Sequence, residues 1–327
     1  MQILMTKAAA ERVRGKVAAI APDAQIITLA PGGLLEIDGA PTAAESASPE
    51  IAWMSVDALF AGLAPAMTDL ISAGSVKWAQ VAAAGLDRPM FTTMMAAGVR
   101  LSKGVAQSPP IAEYVVSHAL SLLHPIAEQA AKQRAHAWER VNFREIASTR
   151  WMLIGYGAIG HLIAQRIKPF GVDLTAVRRA TDADTLADRS ILLSEAGSLL
   201  PQMDVVVLAC ALNDETRKLA NAEFFAAMKP GAILINIARG GVVDETALRD
   251  ALDRDQPAHA VLDVFETEPL PTDSWLWDHP KVRVTAHTSN AGDGNTARGD
   301  AQFLANIKRY LAGEAPSNEA HKSEVGL

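Results

Sequence analysis

Between residues 152 and 285, short apolar runs alternate with segments of helical spacing, and the runs are apolar almost throughout. They cover 152–154, 172–177, 205–209, 232–237, 260–262 and 282–285. A strand with one wet face alternates apolar and polar residues; these hardly alternate. A strand buried on both faces needs cover on both, and helices crossing over a parallel sheet supply it. The pattern predicts an α/β fold with a doubly wound parallel sheet in this half of the chain.

The first hundred residues repeat the theme more loosely. Residues 1–5, 26–29, 51–54 and 76–81 read as strands, and 6–20 and 56–73 as helices. The stretch 31–49 is rich in Pro, Gly, Ala and Ser, which predicts a turn-containing loop. The pattern changes near residue 104. In Gly104-Val105-Ala106-Gln107-Ser108-Pro109-Pro110, Ser108 suits an N-cap and Pro109 the first helical position. A long helix should follow, with Ile111, Val115, His118, Leu122 and Ile126 on one face and a kink at Pro125. Near the end, Phe303, Ile307 and Leu311 mark an amphipathic helix, and a polar tail runs over 317–327.

Composition narrows the class. Of the 327 residues, 49% are apolar and 20% charged, which suits packed globular domains rather than a disordered chain. A net charge of −7 argues against nucleic acid as a partner. The single cysteine, Cys210, excludes an internal disulfide, and no Cys/His spacing suggests a metal. Its apolar neighbours make it a core residue. No secretory leader pattern opens the chain, and no uncharged run is long enough to span a bilayer, so no membrane partner and a reducing cytoplasm are expected.

The most informative turn is Gly155-Tyr156-Gly157-Ala158-Ile159-Gly160, which follows one strand and opens a helix. Gly155 permits a tight turn, Gly157 lets backbone approach a pyrophosphate, and Gly160 lets the helix pack against the strand. The helix start adds unpaired N–H groups and positive partial charge for the anion. A lone glycine pattern also occurs in methyltransferases and in chance turns. The strand, helix and next strand around this one make a Rossmann-type dinucleotide site the better reading. The next strand ends in Arg178-Arg179, where NAD-binding versions carry an acid for the ribose 2′-OH. Arginine there suits a 2′-phosphate, so NADP is the expected cofactor, with NAD as the other option. Asp182 and Asp184 follow closely, so exclusivity is not expected.

Three further patches are Asn236-Ile237-Ala238-Arg239-Gly240-Gly241-Val242-Val243-Asp244, preceded by Met228-Lys229-Pro230-Gly231; Asp263-Val264-Phe265-Glu266-Thr267-Glu268-Pro269-Leu270; and Val284-Thr285-Ala286-His287. Together with the glycine turn they resemble the D-isomer-specific 2-hydroxyacid dehydrogenase family, in its glyoxylate/hydroxypyruvate reductase-like form. The resemblance covers essentially the whole chain and is strongest from Gly155 to His287. It implies two lobes: a flavodoxin-like substrate-binding domain of residues 1–103 and 290–327, and a dinucleotide-binding domain of residues 104–289. The active site would lie in a cleft that closes to exclude water. The implied reaction moves a hydride between NAD(P)H and C2 of a small 2-keto or 2-hydroxy acid, D-stereospecifically. Arg239 would hold the substrate carboxylate and polarise the carbonyl, His287 would be the acid/base, and Glu268 would hydrogen-bond His287 and hold its imidazolium form. Ala211, Ala238, Asp263 and His287 would line the cofactor. Ala84 and Gly85, in Ala82-Ala83-Ala84-Gly85-Leu86-Asp87, would offer backbone N–H groups to the substrate carboxylate. The family also implies a homodimer through the helix after Pro109, with Trp138 either packing there or reaching a partner's cleft.

The chemistry is sensible without the family. Hydride arriving at a keto carbon leaves negative charge on oxygen, which a planar bidentate arginine stabilises. A histidine, with an ordinary pKa of about 6.5, then supplies the proton. The bland readings are a helix-start cation for Arg239, a surface acid for Glu268, a solvated strand end for Asp263 and a structural strand-end histidine for His287. Gly240 and Gly241 favour backbone pressed against a ligand at Arg239. For His118, His124 and His136 the bland reading stands. Two departures from the family pattern leave the substrate open: Ala286 stands where proline usually precedes the histidine, and Cys210-Ala211-Leu212 stands where the loop after the fourth strand often has proline. Two other classes stay open, a methyltransferase that leaves Arg239, Glu268 and His287 idle and a non-catalytic dinucleotide-sensing protein of the same fold.

Overall fold

The computed structural model describes residues 1–179 and 186–327. The chain forms two compact units, Met1–Gln107 with Asp293–Leu327, and Ser108–Gly292. Each is built on its own seven-stranded sheet.

In the first unit the strands are β1 (Gln2–Thr6), β2 (Gln25–Leu29), β3 (Leu35–Ile37), β4 (Ala40–Thr42), β5 (Ile51–Met54), β6 (Trp78–Val81) and β7 (Arg100–Ser102). The helices are α1 (Lys7–Ile20), α2 (Val56–Phe60), α3 (Ala64–Ser72) and α4 (Pro89–Ala96), with the returning helix Asn295–Leu311. The sheet order is β4-β3-β2-β1-β5-β6-β7. Its parallel part, β2-β1-β5-β6-β7, has the flavodoxin-like order. Neighbouring residues of a strand point to opposite faces, and both faces are dry. Ile3, Met5, Ile51, Trp53 and Trp78 pack with α1 and with Phe303 and Ile307. Leu4, Ala52, Met54, Ala79 and Val81 pack with α2, α3 and α4.

Two expectations change here. The stretch 31–49 is not only loop: β3 and β4 form an antiparallel hairpin, with Ile37 facing Ala40 across a two-residue turn. That turn is Asp38-Gly39, both at positive φ (51° and 91°), a sequence and geometry made for tight hairpins. Its strands are only three residues long, and Pro41 sits on the edge strand, where a missing N–H is tolerated. The helix read over 56–73 is two helices, because Gly62 at φ +69° ends the first and Pro65 sits in the first turn of the second.

The second unit contains α5 (Ser108–Leu123), α6 (Ile126–Arg134), β8 (Arg150–Ile154), α7 (Ala158–Ile167), β9 (Asp173–Val177), β10 (Arg189–Ile191), α8 (Leu193–Leu199), β11 (Val205–Leu208), α9 (Ala222–Ala227), β12 (Ile233–Asn236), α10 (Glu245–Asp253), β13 (His259–Leu262) and β14 (Val282–Val284). The returning helix Asn295–Leu311 is α11. All strands are parallel, in the order β10-β9-β8-β11-β12-β13-β14. This is the doubly wound Rossmann order with one strand added. One face packs on α5 and α7 through Ile111, Val115, Trp151, Leu153, Ile163 and Ile167. The other packs on α9 and α10 through Phe225, Leu248 and Leu252.

The helix after Pro109 stops at Leu123 rather than kinking at Pro125. A proline disfavours helical backbone in the residue before it, so a separate helix, α6, begins beyond it. The buried face of α5 is Ile111, Ala112, Val115, Ala119 and Leu123; His118 and Leu122 are half-buried, and Ile126 is exposed. In α11, Phe303 and Ile307 are buried and Leu311 is exposed. Among the described residues, no helix is long and apolar enough to cross a membrane.

Candidate active site

The carboxyl ends of parallel strands are where a doubly wound sheet can present loops to a ligand. Gly155, Arg178, Cys210, Arg239, Asp263 and His287 all follow such ends, on β8, β9, β11, β12, β13 and β14 in turn. Ala84 and Gly85, half-buried, follow β6 in the first unit.

The glycine turn lies where the strand order reverses, between β8 and β11. Gly155 has φ +99°, and a Cβ there would stand 2.5 Å from the Ala209 carbonyl carbon. Gly160 is equally constrained, since its Cβ would meet the Gly155 oxygen at 2.7 Å. Around Gly157 there is open space instead. Gly157 precedes Ala158 and Ile159, the first residues of α7, and that helix start carries no side-chain cap. Two glycines are therefore required by packing, while the third leaves a helix start clear for an anion, which fits a pyrophosphate.

Arg178 sits just beyond β9, with its guanidinium 5.8 Å over the Tyr156 ring. This stacking sets the cation beside the glycine turn. Arg179 is exposed. Asp182 and Asp184 lie outside the described residues. On the other side of the turn, Ala211 is exposed in a loop braced by Thr216, whose hydroxyl donates to the Ala211 oxygen at 2.7 Å. Cys210 packs against the core, and burial pushes its thiol up to about 11, so it stays protonated and unreactive near neutral pH.

Arg239 is half-buried, and its Nη1 donates to the Ala238 oxygen at 2.8 Å. The loop is shaped by Asn236, fully buried at the end of an apolar strand. Its side chain accepts from Ala238 N at 3.0 Å and donates to the Arg239 oxygen at 3.1 Å. Sequence reasoning gave Asn236 no role, although a polar residue closing an apolar strand is a usable signal. The glycines after Arg239 serve a different purpose from the one expected. A Cβ on Gly240 would stand 1.8 Å from the Phe265 carbonyl carbon, and one on Gly241 would stand 3.2 Å from the Leu212 side chain. Gly240 makes room for protein backbone, not for a ligand.

His287 Nδ1 lies 2.8 Å from Glu268 Oε2, and both side chains are more than a third exposed. Glu268 Oε1 accepts from Phe265 N at 3.1 Å, which fixes the carboxylate. His287 has φ +49°, in the left-handed region, and its N–H donates to the Asp263 oxygen at 2.9 Å. Histidine is among the residues found there more often than most, but the conformation still has to be held by its surroundings. With Nδ1 turned to a carboxylate, Nε2 is the ring nitrogen outside that pair. Two other histidines pack against aromatic rings: the His118 ring lies 4.2 Å from that of Tyr114, and the His124 ring 4.2 Å from that of Phe143. Burial lowers the His118 pKa, with the Arg283 charge assisting.

This arrangement, two doubly wound units with a glycine turn and an imidazole–carboxylate pair at strand ends, defines a dinucleotide-dependent enzyme class. The family model for the NAD binding domain of D-isomer specific 2-hydroxyacid dehydrogenases matches residues 116–289, and the chain belongs to that family of NAD(P)-dependent oxidoreductases. D-3-phosphoglycerate dehydrogenase of Mycobacterium leprae is 34% identical over 75% of this chain, which spans 47% of that relative's length. Glyoxylate/hydroxypyruvate reductase A of Serratia proteamaculans is 28% identical over 76% of this chain and 81% of its own. The structure of a D-isomer specific 2-hydroxyacid dehydrogenase from Xanthobacter autotrophicus, in complex with NADPH and MES, superimposes with a TM-score of 0.77 at 27% identity, covering 98% of each chain.

Proposed function

We propose that this chain reduces a small 2-keto acid to the D-2-hydroxy acid, with NADPH preferred over NADH. The observation that carries the reading is the His287–Glu268 pair at 2.8 Å, set in a left-handed loop at a strand end. When bound, the nicotinamide would supply the hydride to C2. The glycine turn from Gly155 to Gly160 holds the pyrophosphate, Arg178 and Arg179 bind the 2′-phosphate, and Ala211, Ala238 and Asp263 line the rest. Arg239 grips the substrate carboxylate and draws charge toward the carbonyl oxygen. For Ala84 and Gly85 we propose backbone N–H donation to a carboxylate. His287 Nε2 then gives its proton to the oxygen, while Glu268 stabilises the imidazolium through a charge-assisted hydrogen bond.

The reductase relative with 81% coverage favours glyoxylate or hydroxypyruvate over a phosphorylated acid. Absorbance at the reduced-nicotinamide band, with a panel of 2-keto acids, tests this. Turnover of glyoxylate or hydroxypyruvate is the expected result; no oxidation of NADPH or NADH with any 2-keto acid would exclude the activity.

A homodimer goes with this reading. Helix α6 buries no side chain, and Ile126, Trp138 and Phe143 are exposed around it. A second copy would cover them. Sedimentation should give twice the chain mass, and a monomer at micromolar concentration would refute the expectation.

A further inference from the structure

Asp263 is fully buried, and a buried carboxylate persists only if its oxygens are satisfied. Oδ1 accepts from Thr285 Oγ1 at 2.6 Å, from Thr288 N at 2.8 Å and from Ser289 N at 3.1 Å; Oδ2 accepts from Ser289 N at 3.0 Å. These groups stand on both sides of His287, whose own N–H donates to the Asp263 main-chain oxygen. One aspartate thus fastens the loop that bends His287 into its left-handed conformation.

The carboxylate is itself aimed by a longer chain. Thr285 has one hydroxyl proton, and that proton goes to Asp263. Its oxygen must therefore accept from Tyr114, whose hydroxyl lies 2.7 Å away. Burial pushes the Tyr114 hydroxyl up to about 12, with the Asp263 charge adding to it, so the phenol remains a donor at neutral pH. Tyr114 stands on α5, where the His118 ring lies against its own at 4.2 Å. Arg283, on β14, donates to Ser121 one turn further along α5, tying that strand to the helix.

We propose that Tyr114 and Thr285 are positioning residues for the reaction: the donor chain from Tyr114 through Thr285 to Asp263 fixes the loop that orients His287. The proposal rests on His287 being the acid/base. Neither residue touches substrate in this scheme; they act through the loop. A shared chain has a signature that general destabilisation lacks, because cutting it twice costs no more than cutting it once.

The test is a double-mutant cycle in steady-state kinetics on the full chain, with the best 2-keto acid, beside His287→Ala. Thr285→Val should lower kcat about tenfold with the keto-acid KM within about twofold, the size expected when one hydrogen bond in a buried set is lost. Thr285→Ser, which keeps the hydroxyl, should restore kcat to within about twofold of wild type. Tyr114→Phe should cost about threefold, and the double variant should match Thr285→Val alone. Tyr114→Phe removes a single oxygen, so it keeps the test open if Thr285→Val fails to fold. Wild-type kcat in both single variants, multiplying effects in the double, or a Ser variant as slow as the Val variant would each overturn the proposal. Wild-type turnover in His287→Ala would instead overturn the acid/base reading beneath it.

Discussion

The two units share an architecture but use the carboxyl ends of their strands differently. In the first, charges beyond the ends of β1 and β5 are paired internally. Arg12 of α1 binds Asp57 of α2 at 2.6 Å and Asp300 of α11 at 2.6 Å, and Asp300 also accepts from Trp53. In the second, the segments beyond the ends of β13 and β14 present an imidazole–carboxylate pair that is more than a third exposed. One unit uses its strand-end charges to join helices; the other leaves its pair exposed. Similar architectures thus carry a clamp in one place and an exposed pair in the other, so function has to be argued from side chains rather than topology.

The largest expected effect is in the second unit. His287→Ala should lower kcat by at least about a hundredfold, in the range usual for a general acid–base group, with an unchanged melting profile. Turnover near wild type would break the comparison, since the exposed pair would then be ornamental. In the first unit the response should be the reverse, stability lost and chemistry kept. Arg12→Met leaves two carboxylates without their cation and should destabilise the fold by about 2 kcal/mol in urea at pH 7, below the figure for fully buried pairs because the groups are partly exposed. Burial alone would raise the Asp57 pKa; hydrogen bonds from Arg12 and Ser55 and the Arg12 charge outweigh it and hold it below 3.8. A lowered pKa means that this contribution is fully present above 3.8 and is lost as pH falls through the folded value. The difference between wild type and Arg12→Met should therefore narrow in acid; a constant difference would show that packing, not charge, is at work. The smallest effect concerns the cofactor. Arg178→Asp should shift the NADPH-to-NADH ratio of kcat/KM by roughly tenfold toward NADH, the value of one exposed charged hydrogen bond. An unchanged ratio would move the determinant away from Arg178.

The sequence was most readable where burial is two-sided. Strands β8, β11 and β12 show as apolar runs because helices cover both faces of the sheet. Strands β7 and β10 were missed: each is three residues long, begins with arginine and lies at a sheet edge, so one side of it is not paired. The His287–Glu268 pairing could be foreseen from the family motifs, and the structure brings the two side chains together. The role of Gly240 could not, because its constraint comes from the Phe265 backbone. Nor could the link between Tyr114 and Thr285, residues 171 apart in sequence, which only the stacking of α5 on the sheet joins.

Gly240 sets a mechanical tolerance on the second unit. With Phe265 backbone filling the space where a side chain would go, even a methyl group would displace that backbone. Phe265 N is the donor that fixes Glu268, and Glu268 is the partner of His287. A disturbance at Gly240 would therefore reach the His287–Glu268 pair through three contacts without touching either side chain. Arg239 is the residue next door, so the loop proposed to grip a substrate and the loop proposed to protonate it share a single clearance, and neither can be redesigned without refitting the other.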